Sequence, residues 1–351
     1  MLRREIRVFV FIATFILLLV LLYQLNFPAS SHRQHDLAAV QEFSDYAQGR
    51  NLKSYWEEKA ASRYYSEPLS RRVIENVEQF LFFVGYARSG HSIIASMLDA
   101  HPNVVIAHEY ALFTKWESEP AKHKNKTWLF NALYDNSRFN IYQGLRTKHA
   151  LKKGYTLAIP GSWQGRYDTS TGISVIGDKS GGMTAQVFRK HRKLFRSLYQ
   201  ELRNTVQMPI HVIHVVRNPY DNIATMLLYN EHQKFKVNET RKYDGKEALE
   251  SQIISYFHQV RSVVEMINEV GLKVIEIHIK EFIANPKATL RNLCLALQID
   301  CSEAYLHMCS SKAFTSESRS RSLVKWTSSL IDMVYQNIQK YKHLQRYSFY
   351  S

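Results

Sequence analysis

Apolar positions along this chain follow two rhythms. Leu81-Phe82-Phe83-Val84 is a short unbroken apolar run that ends at Gly85, as expected of a strand buried on both faces. Comparable runs occur at Val104-Val105-Ile106, Ile173–Ile176, Val212–Val216 and Val274–Ile279. Ile93, Ile94, Met97 and Leu98 instead recur at helical spacing. Helical patterns are also expected at about Thr184–Leu202, Tyr220–Tyr229, Lys246–Val270, Pro286–Leu297 and Lys325–Tyr341. Strands alternating with helices predict an α/β fold, a parallel sheet with helices on both faces. The chain shows no internal repeat and no low-complexity tract, and one domain over residues 78–342 is the simplest division.

The N-terminal segment has a different character. Arg3, Arg4 and Arg7 precede an apolar run from Val8 to Tyr23 that continues to Phe27 with only two polar interruptions. About 20 mostly apolar residues suffice to cross a bilayer as a helix. Residues 8–27 are therefore read as an N-terminal transmembrane helix, a signal anchor, with residues 1–7 as a cytoplasmic tail. Residues 28–77, polar and uneven, would be a lumenal stem, and the rest of the chain would also be lumenal. The alternative is a signal peptide cleaved near Ala29-Ser30-Ser31. A lumenal address suits two glycosylation sequons, Asn125-Lys126-Thr127 and Asn238-Glu239-Thr240.

Charge narrows the partners. Forty-six Lys+Arg against 31 Asp+Glu give a formal +15, which favours an anionic partner such as acidic lipid, a phosphorylated small molecule or a polyanionic glycan. No block of consecutive Lys/Arg resembles a nucleic-acid arm, so no nucleic-acid partner is expected. Cys294, Cys301 and Cys309 allow one disulfide, for which Cys301–Cys309 is a candidate, or three free thiols.

The candidate chemistry begins where the first strand turns into a helix. Gly85-Tyr86-Ala87-Arg88-Ser89-Gly90-His91-Ser92 fits the phosphate-loop pattern G-x-x-x-x-G-K-[ST] at every position but the lysine, where His91 stands. Glycines let the backbone curl, and the helix start offers unpaired N–H groups and the positive end of the dipole to an anion. Loss of that lysine and gain of Arg88 argue against nucleoside triphosphate hydrolysis or a phosphate-loop kinase. Further along, Val212–Val216 leads into Arg217-Asn218-Pro219 and a helix carrying Thr225. A guanidinium at a strand end and a hydroxyl eight residues on can converge on one phosphate.

These two elements, with Met97-Leu98-Asp99-Ala100-His101-Pro102 after the first, resemble the 5′-phosphosulfate loop and 3′-phosphate motif of sulfotransferases. The likeness is to the Golgi membrane kind, which includes carbohydrate and protein-tyrosine sulfotransferases, and it covers roughly residues 80–330. It implies a co-substrate, 3′-phosphoadenosine 5′-phosphosulfate (PAPS), held by Arg88, Ser89, Gly90, His91, Ser92, Arg217 and Thr225. The family usually has Thr or Ser at the position of His91 and Asp at that of Asn218. Val274–Phe282 with Asn285-Pro286 resembles a further strand and helix start of the family, and the segment with Arg319, Arg321 and Lys325-Trp326 would close over the nucleotide, Lys325 among its contacts.

Sulfuryl transfer needs a base for the acceptor proton and positive charge for the leaving oxygen. Glu109, in Ile106-Ala107-His108-Glu109-Tyr110, looks like the family's proton acceptor. Lys179, in Gly177-Asp178-Lys179-Ser180, would stabilise the transferring group with help from Arg88, and Asp178 is the reserve base or an orienter of Lys179. No metal is expected: His108, His211 and His214 lack a further ligand at useful spacing. The resemblance therefore implies a single-pass type II Golgi enzyme that sulfates a hydroxyl of a glycan or, alternatively, of a protein tyrosine. A catalytically inactive glycan-binding relative is the non-enzymatic reading. The tyrosine enzymes usually carry cysteines where Ala107 and Gly177 stand here, which favours carbohydrate.

Overall fold

The computed structural model describes residues 68–142, 157–231, 236–238 and 240–351. The expected tail and anchor lie outside these residues, as does most of the stem. No helix among the described residues is long and apolar enough to cross a membrane.

Five parallel strands form one sheet in the order β2-β3-β1-β4-β5. They are β1 (Gln79–Val84), β2 (Val104–His108), β3 (Val175–Lys179), β4 (Ile210–Val216) and β5 (Val274–His278). The side-chain period of two sorts β1 onto two cores. Phe80, Phe82 and Val84 join the core on one face, while Leu81 and Phe83 join Ile93, Ile94, Met97 and Leu98 on the other. Both faces of β1 are thereby covered, which explains its unbroken apolar run. The α/β reading of the sequence thus matches the sheet.

Helices α1 (Arg71–Glu75), α2 (His91–Leu98), α3 (Leu112–Ser118) and α4 (Lys126–Tyr142) occupy the first half. They are followed by α5 (Gly181–Lys190), α6 (Arg192–Val206), α7 (Pro219–Asn230) and α8 (Lys246–Val270). The last are α9 (Ile279–Ala284), α10 (Pro286–Ala296), α11 (Glu303–Ser310) and α12 (Ser328–Ile338). β1 lies between β3 and β4, so the loops leaving these three strands open at one edge of the sheet. Ligands of open α/β sheets bind at this place, outside the carboxyl ends of the strands.

Several expectations need correction. The third strand begins at Val175 rather than Ile173 and runs through Lys179, a stretch that is buried although it is not continuously apolar. Gly177 makes this possible, because a Cβ there would lie 1.9 Å from the carbonyl oxygen of Leu81. The single helix expected over Thr184–Leu202 is two, α5 and α6, separated at His191, whose φ of −145° is not helical. The disulfide joins Cys294 to Cys301 across the end of α10, and Cys309 is free and buried, so the Cys301–Cys309 pairing is wrong.

The folded body also reaches past both expected boundaries. Val73 and Ile74 of α1 pack into the core. At the other end, His343 Nε2 lies 2.9 Å from the Tyr86 hydroxyl and the Tyr347 hydroxyl 2.7 Å from His278 Nδ1. The side-chain amide of Asn218 donates to the carbonyl oxygens of Ser348 and Ser351.

Candidate active site

The loop after β1 is built on unusual backbone. Arg88 has φ 66° and Gly90 φ 100°, both left-handed, and α2 starts at the next residue, His91. Glycine is required at 90 twice over, by its φ and because a Cβ would meet Ile279 Cδ1 at 2.8 Å. The buried Ser89 hydroxyl lies 3.1 Å from His91 Nδ1. Burial, and then the nearby Lys179 ammonium, push the imidazole of His91 down to about 3. His91 is thus a neutral group where a phosphate loop carries a cation.

That cation comes from β3 instead. The Lys179 side chain is fully buried, and its ammonium donates to Ser92 Oγ at 3.1 Å and to the Glu109 carboxylate. Glu109 follows β2 with φ 55°, and its backbone N–H donates to the Lys179 carbonyl at 3.1 Å. Its side chain is 47% exposed, so the carboxylate reaches the cleft while staying bonded to the lysine.

Asp178 is placed differently. As the neighbour of Lys179 on a strand, it faces the other side of the sheet. Its carboxylate accepts the backbone N–H groups of Tyr110 at 3.1 Å and Leu112 at 3.0 Å, and like Lys179 it is absent from the cleft lining. Burial raises its carboxyl to about 6 against those stabilising bonds. Asp178 therefore holds the turn that carries Glu109, with its carboxylate bonded to backbone N–H groups there.

A second anion point stands at the end of β4. Asn218 caps α7 by accepting the Tyr220 N–H at 3.0 Å, so asparagine performs the cap that aspartate would, and Pro219 fills the first helical turn. Arg217 Nη1 donates to Thr225 Oγ1 at 2.9 Å and to the Arg88 carbonyl at 3.2 Å, while Nη2 reaches the Ser318 carbonyl at 3.1 Å and Ser320 Oγ at 3.3 Å. The Thr225 and Ser320 hydroxyls are 2.9 Å apart. The guanidinium and two hydroxyls so converge on one spot beside the loop.

Both points open into one cleft of about 830 Å³. Its lining includes Arg88 through Ser92, His108, Glu109, Arg217 and Thr225, together with Phe314, Ser316, Glu317, Ser318 and Ser320. Arg88 Nε is buried there without a hydrogen-bond partner, and the guanidinium lies 4.9 Å from the ring centre of Tyr229. An orphaned donor on a charged group beside a helix start fits an anion. Among the described residues no group of three or more His, Cys, Asp or Glu is arranged to hold a metal.

Lys325, expected among the contacts of the nucleotide, lies outside the cleft lining. Its ammonium pairs with Asp244 at 2.7 Å, and both side chains are largely exposed. The covering segment is the stretch just upstream, whose hydroxyls sequence reasoning passed over in favour of its arginines. Arg321 meanwhile is buried against Asp221, with the backbone N–H 3.0 Å and Nη1 3.3 Å from the carboxylate. The α5 wall of the cleft, with Gly182, Met183, Ala185, Gln186 and Arg189, was also missed. Its only sequence signal is helical spacing directly after Lys179.

No protein-family model and no curated protein matches the sequence. Solved structures that align with it include sulfotransferases. One from Mycobacterium avium is 12% identical with a TM-score of 0.40, over 78% of this chain and 79% of that one. The sulfotransferase domain of a Synechococcus olefin synthase is 16% identical with a TM-score of 0.38, over 77% and 85%. A mouse sulfotransferase complexed with PAP is 13% identical with a TM-score of 0.36, over 80% and 90%.

Proposed function

We propose that this protein is a PAPS-dependent sulfotransferase that sulfates a hydroxyl group on a glycan. The observation that supports it most is the meeting, in one cleft, of two separate anion points and the Glu109 carboxylate, which is bonded to the buried Lys179 ammonium behind it. The loop and α2 start suit the 5′ phosphosulfate, with Arg88 Nε as an unused donor. Arg217, Thr225 and Ser320 suit the 3′ phosphate, the group that distinguishes PAPS from ATP.

In this reading Glu109 accepts the proton of the acceptor hydroxyl as its oxygen attacks sulfur. The new O–S bond forms while the bond from sulfur to the phosphate oxygen breaks. Lys179 stabilises the charge that gathers on that leaving oxygen, and the products are a sulfate ester and 3′-phosphoadenosine 5′-phosphate (PAP). Neutral His91 contributes no charge and fills the loop beside Ser89.

Two observations support a lumenal setting for the reaction. The Cys294–Cys301 disulfide suits an oxidising compartment, and both sequon asparagines, Asn125 and Asn238, are exposed. Together with the arginine-flanked apolar run at 8–27 they support a type II Golgi membrane protein. Glycan is preferred over tyrosine because Ala107 and Gly177 stand where the tyrosine enzymes usually carry cysteines. The test is a binding and transfer measurement on protein lacking residues 1–27. PAP should bind more tightly than ADP, and PAPS should support sulfation in a screen of unsulfated glycans and acidic tyrosine peptides. A preference for ATP would favour a kinase, and PAP binding without transfer a catalytically silent relative.

A further inference from the structure

The α5 wall of the cleft carries no residue that the proposed function uses. The nucleotide contacts are assigned to the loop after β1, to Arg217 and Thr225, and to the segment ending at Ser320. Yet α5 starts two residues after Lys179, and Gly182, Met183, Ala185, Gln186 and Arg189 all line the cleft. Offsets of three, four and seven residues from Gly182 share one helix face. With a rise of about 1.5 Å per residue, Arg189 stands roughly 10 Å along that face from Gly182. The wall therefore runs from the reacting centre outward.

Arg189 differs from the other cations there. Lys179 is tied to Glu109 and Ser92, Arg217 to Thr225 and Ser320, and Arg88 lies over Tyr229. Among the described residues Arg189 has no hydrogen bond, ion pair or ring contact. The carboxylates closest in the sequence of α8, Glu265 and Glu269, are already taken by Arg192 and Arg196. Lys190, exposed just beyond Arg189, extends the positive surface away from the cleft.

The rest of this wall is polar and small. Gln186 on α5 and Gln259 of α8 bring amides to the lining, the Gln259 Oε1 also accepting the Ala87 N–H at 3.4 Å, while the Ser262 hydroxyl is buried and donates to the His258 carbonyl at 2.9 Å. The one aromatic residue in the lining, Phe314, belongs to the nucleotide-covering segment. Amides and hydroxyls match sugar hydroxyls, whereas a tyrosine ring would find no aromatic partner on this wall.

We propose that Arg189 is a specificity-determining residue that binds a carboxylate of a glycan acceptor, placing a neighbouring sugar hydroxyl before Glu109. The proposal rests on the sulfotransferase reading of the same cleft. A hexuronate would supply such a carboxylate within a sugar of the hydroxyl to be sulfated.

The test uses PAP-loaded protein and two probes, an unsulfated hexuronate-containing oligosaccharide and the same oligosaccharide with its carboxyl groups reduced to alcohols. Wild-type protein should bind the carboxylated probe at least about tenfold more tightly than the reduced one. Arg189→Ala should lose about that factor on the carboxylated probe alone, Arg189→Lys should recover part of it, and PAP affinity should be the same in all three. The carboxylate-dependent affinity should also weaken as salt rises. Equal losses on both probes, an unchanged Arg189→Ala affinity, or no binding of the carboxylated probe by wild type would overturn the proposal. So would tighter, Arg189-dependent binding of an acidic tyrosine peptide. A wild type that fails to bind PAP would instead overturn the parent reading, whatever the glycan probes show.

Discussion

The backbone N–H of Glu109 donates to the Lys179 carbonyl at 3.1 Å, and the Lys179 ammonium donates back to the Glu109 carboxylate. One strand pairing, with His108 opposite Lys179, thus places the proposed proton acceptor and the proposed leaving-group cation together. Neither can shift without the other. Because the ammonium is fully buried, the carboxylate is also what keeps its charge tolerable inside the protein.

Glu109→Gln tests the base with that constraint respected, since the amide oxygen can still accept from Lys179. PAP affinity should remain, while sulfate transfer at saturating PAPS should fall by roughly 100- to 10,000-fold. Asp178→Asn is the control. It should disturb the turn at Tyr110–Leu112 and cost less turnover than Glu109→Gln. A dead Asp178 variant beside a near-normal Glu109 variant would exchange their roles.

Lys179→Ala should lower kcat far more than it weakens PAPS binding, by about 100- to 1,000-fold if its charge acts mainly on the leaving oxygen. A normal kcat with a raised KM for PAPS would confine Lys179 to ground-state binding.

Arg217→Ala should weaken PAPS by roughly tenfold or more and its 3′-dephosphorylated analogue much less. Ser320→Ala should show the same preference at smaller size, because it removes one neutral hydroxyl. Lys325→Ala, at an exposed ion pair remote from the cleft lining, should leave both affinities unchanged. Titration of the nucleotides against each variant separates these outcomes.

His91→Gln addresses pH. The imidazole is held near 3 in the folded protein against 6.5 when exposed, so below pH 6.5 the unfolded chain takes up a proton that the folded one refuses. Stability from this group is complete above about pH 6.5 and falls by about 1.4 kcal/mol per pH unit as pH drops towards about 3. Urea unfolding at pH 7 and pH 5 should therefore show a smaller acid loss in His91→Gln than in wild type. His343, lowered to about 4, and Asp178, raised to about 6, act in both proteins and cancel from the comparison.

Much of this site was legible because its parts are local. A buried strand ending in glycine, an arginine at a strand end and a hydroxyl eight residues on are patterns within one short segment. Glu109, Arg88 and Arg217 accordingly line one cleft, with the Lys179 ammonium bonded to Glu109. What escaped was set by distant neighbours. β3 looks too polar for a buried strand until Leu81 closes over Gly177 and Asp178 finds the N–H groups of Tyr110 and Leu112. Ser320 is one serine in a serine-rich stretch until Arg217 and Thr225 lie against it. Cys294 pairs with Cys301 because the turn after α10 brings the chain back, which spacing alone leaves open. His343, Tyr347 and Ser348 carry no local sign of their hold on Tyr86, His278 and Asn218.

Three of the five non-glycine residues with left-handed backbone among those described belong to the segments that carry the reacting groups, Arg88 at φ 66°, Glu109 at φ 55° and Ala111 at φ 62°. Each such residue costs on the order of 1 kcal/mol or more relative to glycine. Selection for heat resistance and selection for turnover would consequently pull these positions in opposite directions. Glycine at 88 or 109 relaxes the chain while deleting the side chain that the chemistry uses, whereas at Ala111 the change removes only a methyl group. A screen for thermally hardened variants that kept their turnover would accordingly be expected to collect glycine at Ala111 and to avoid it at the other two.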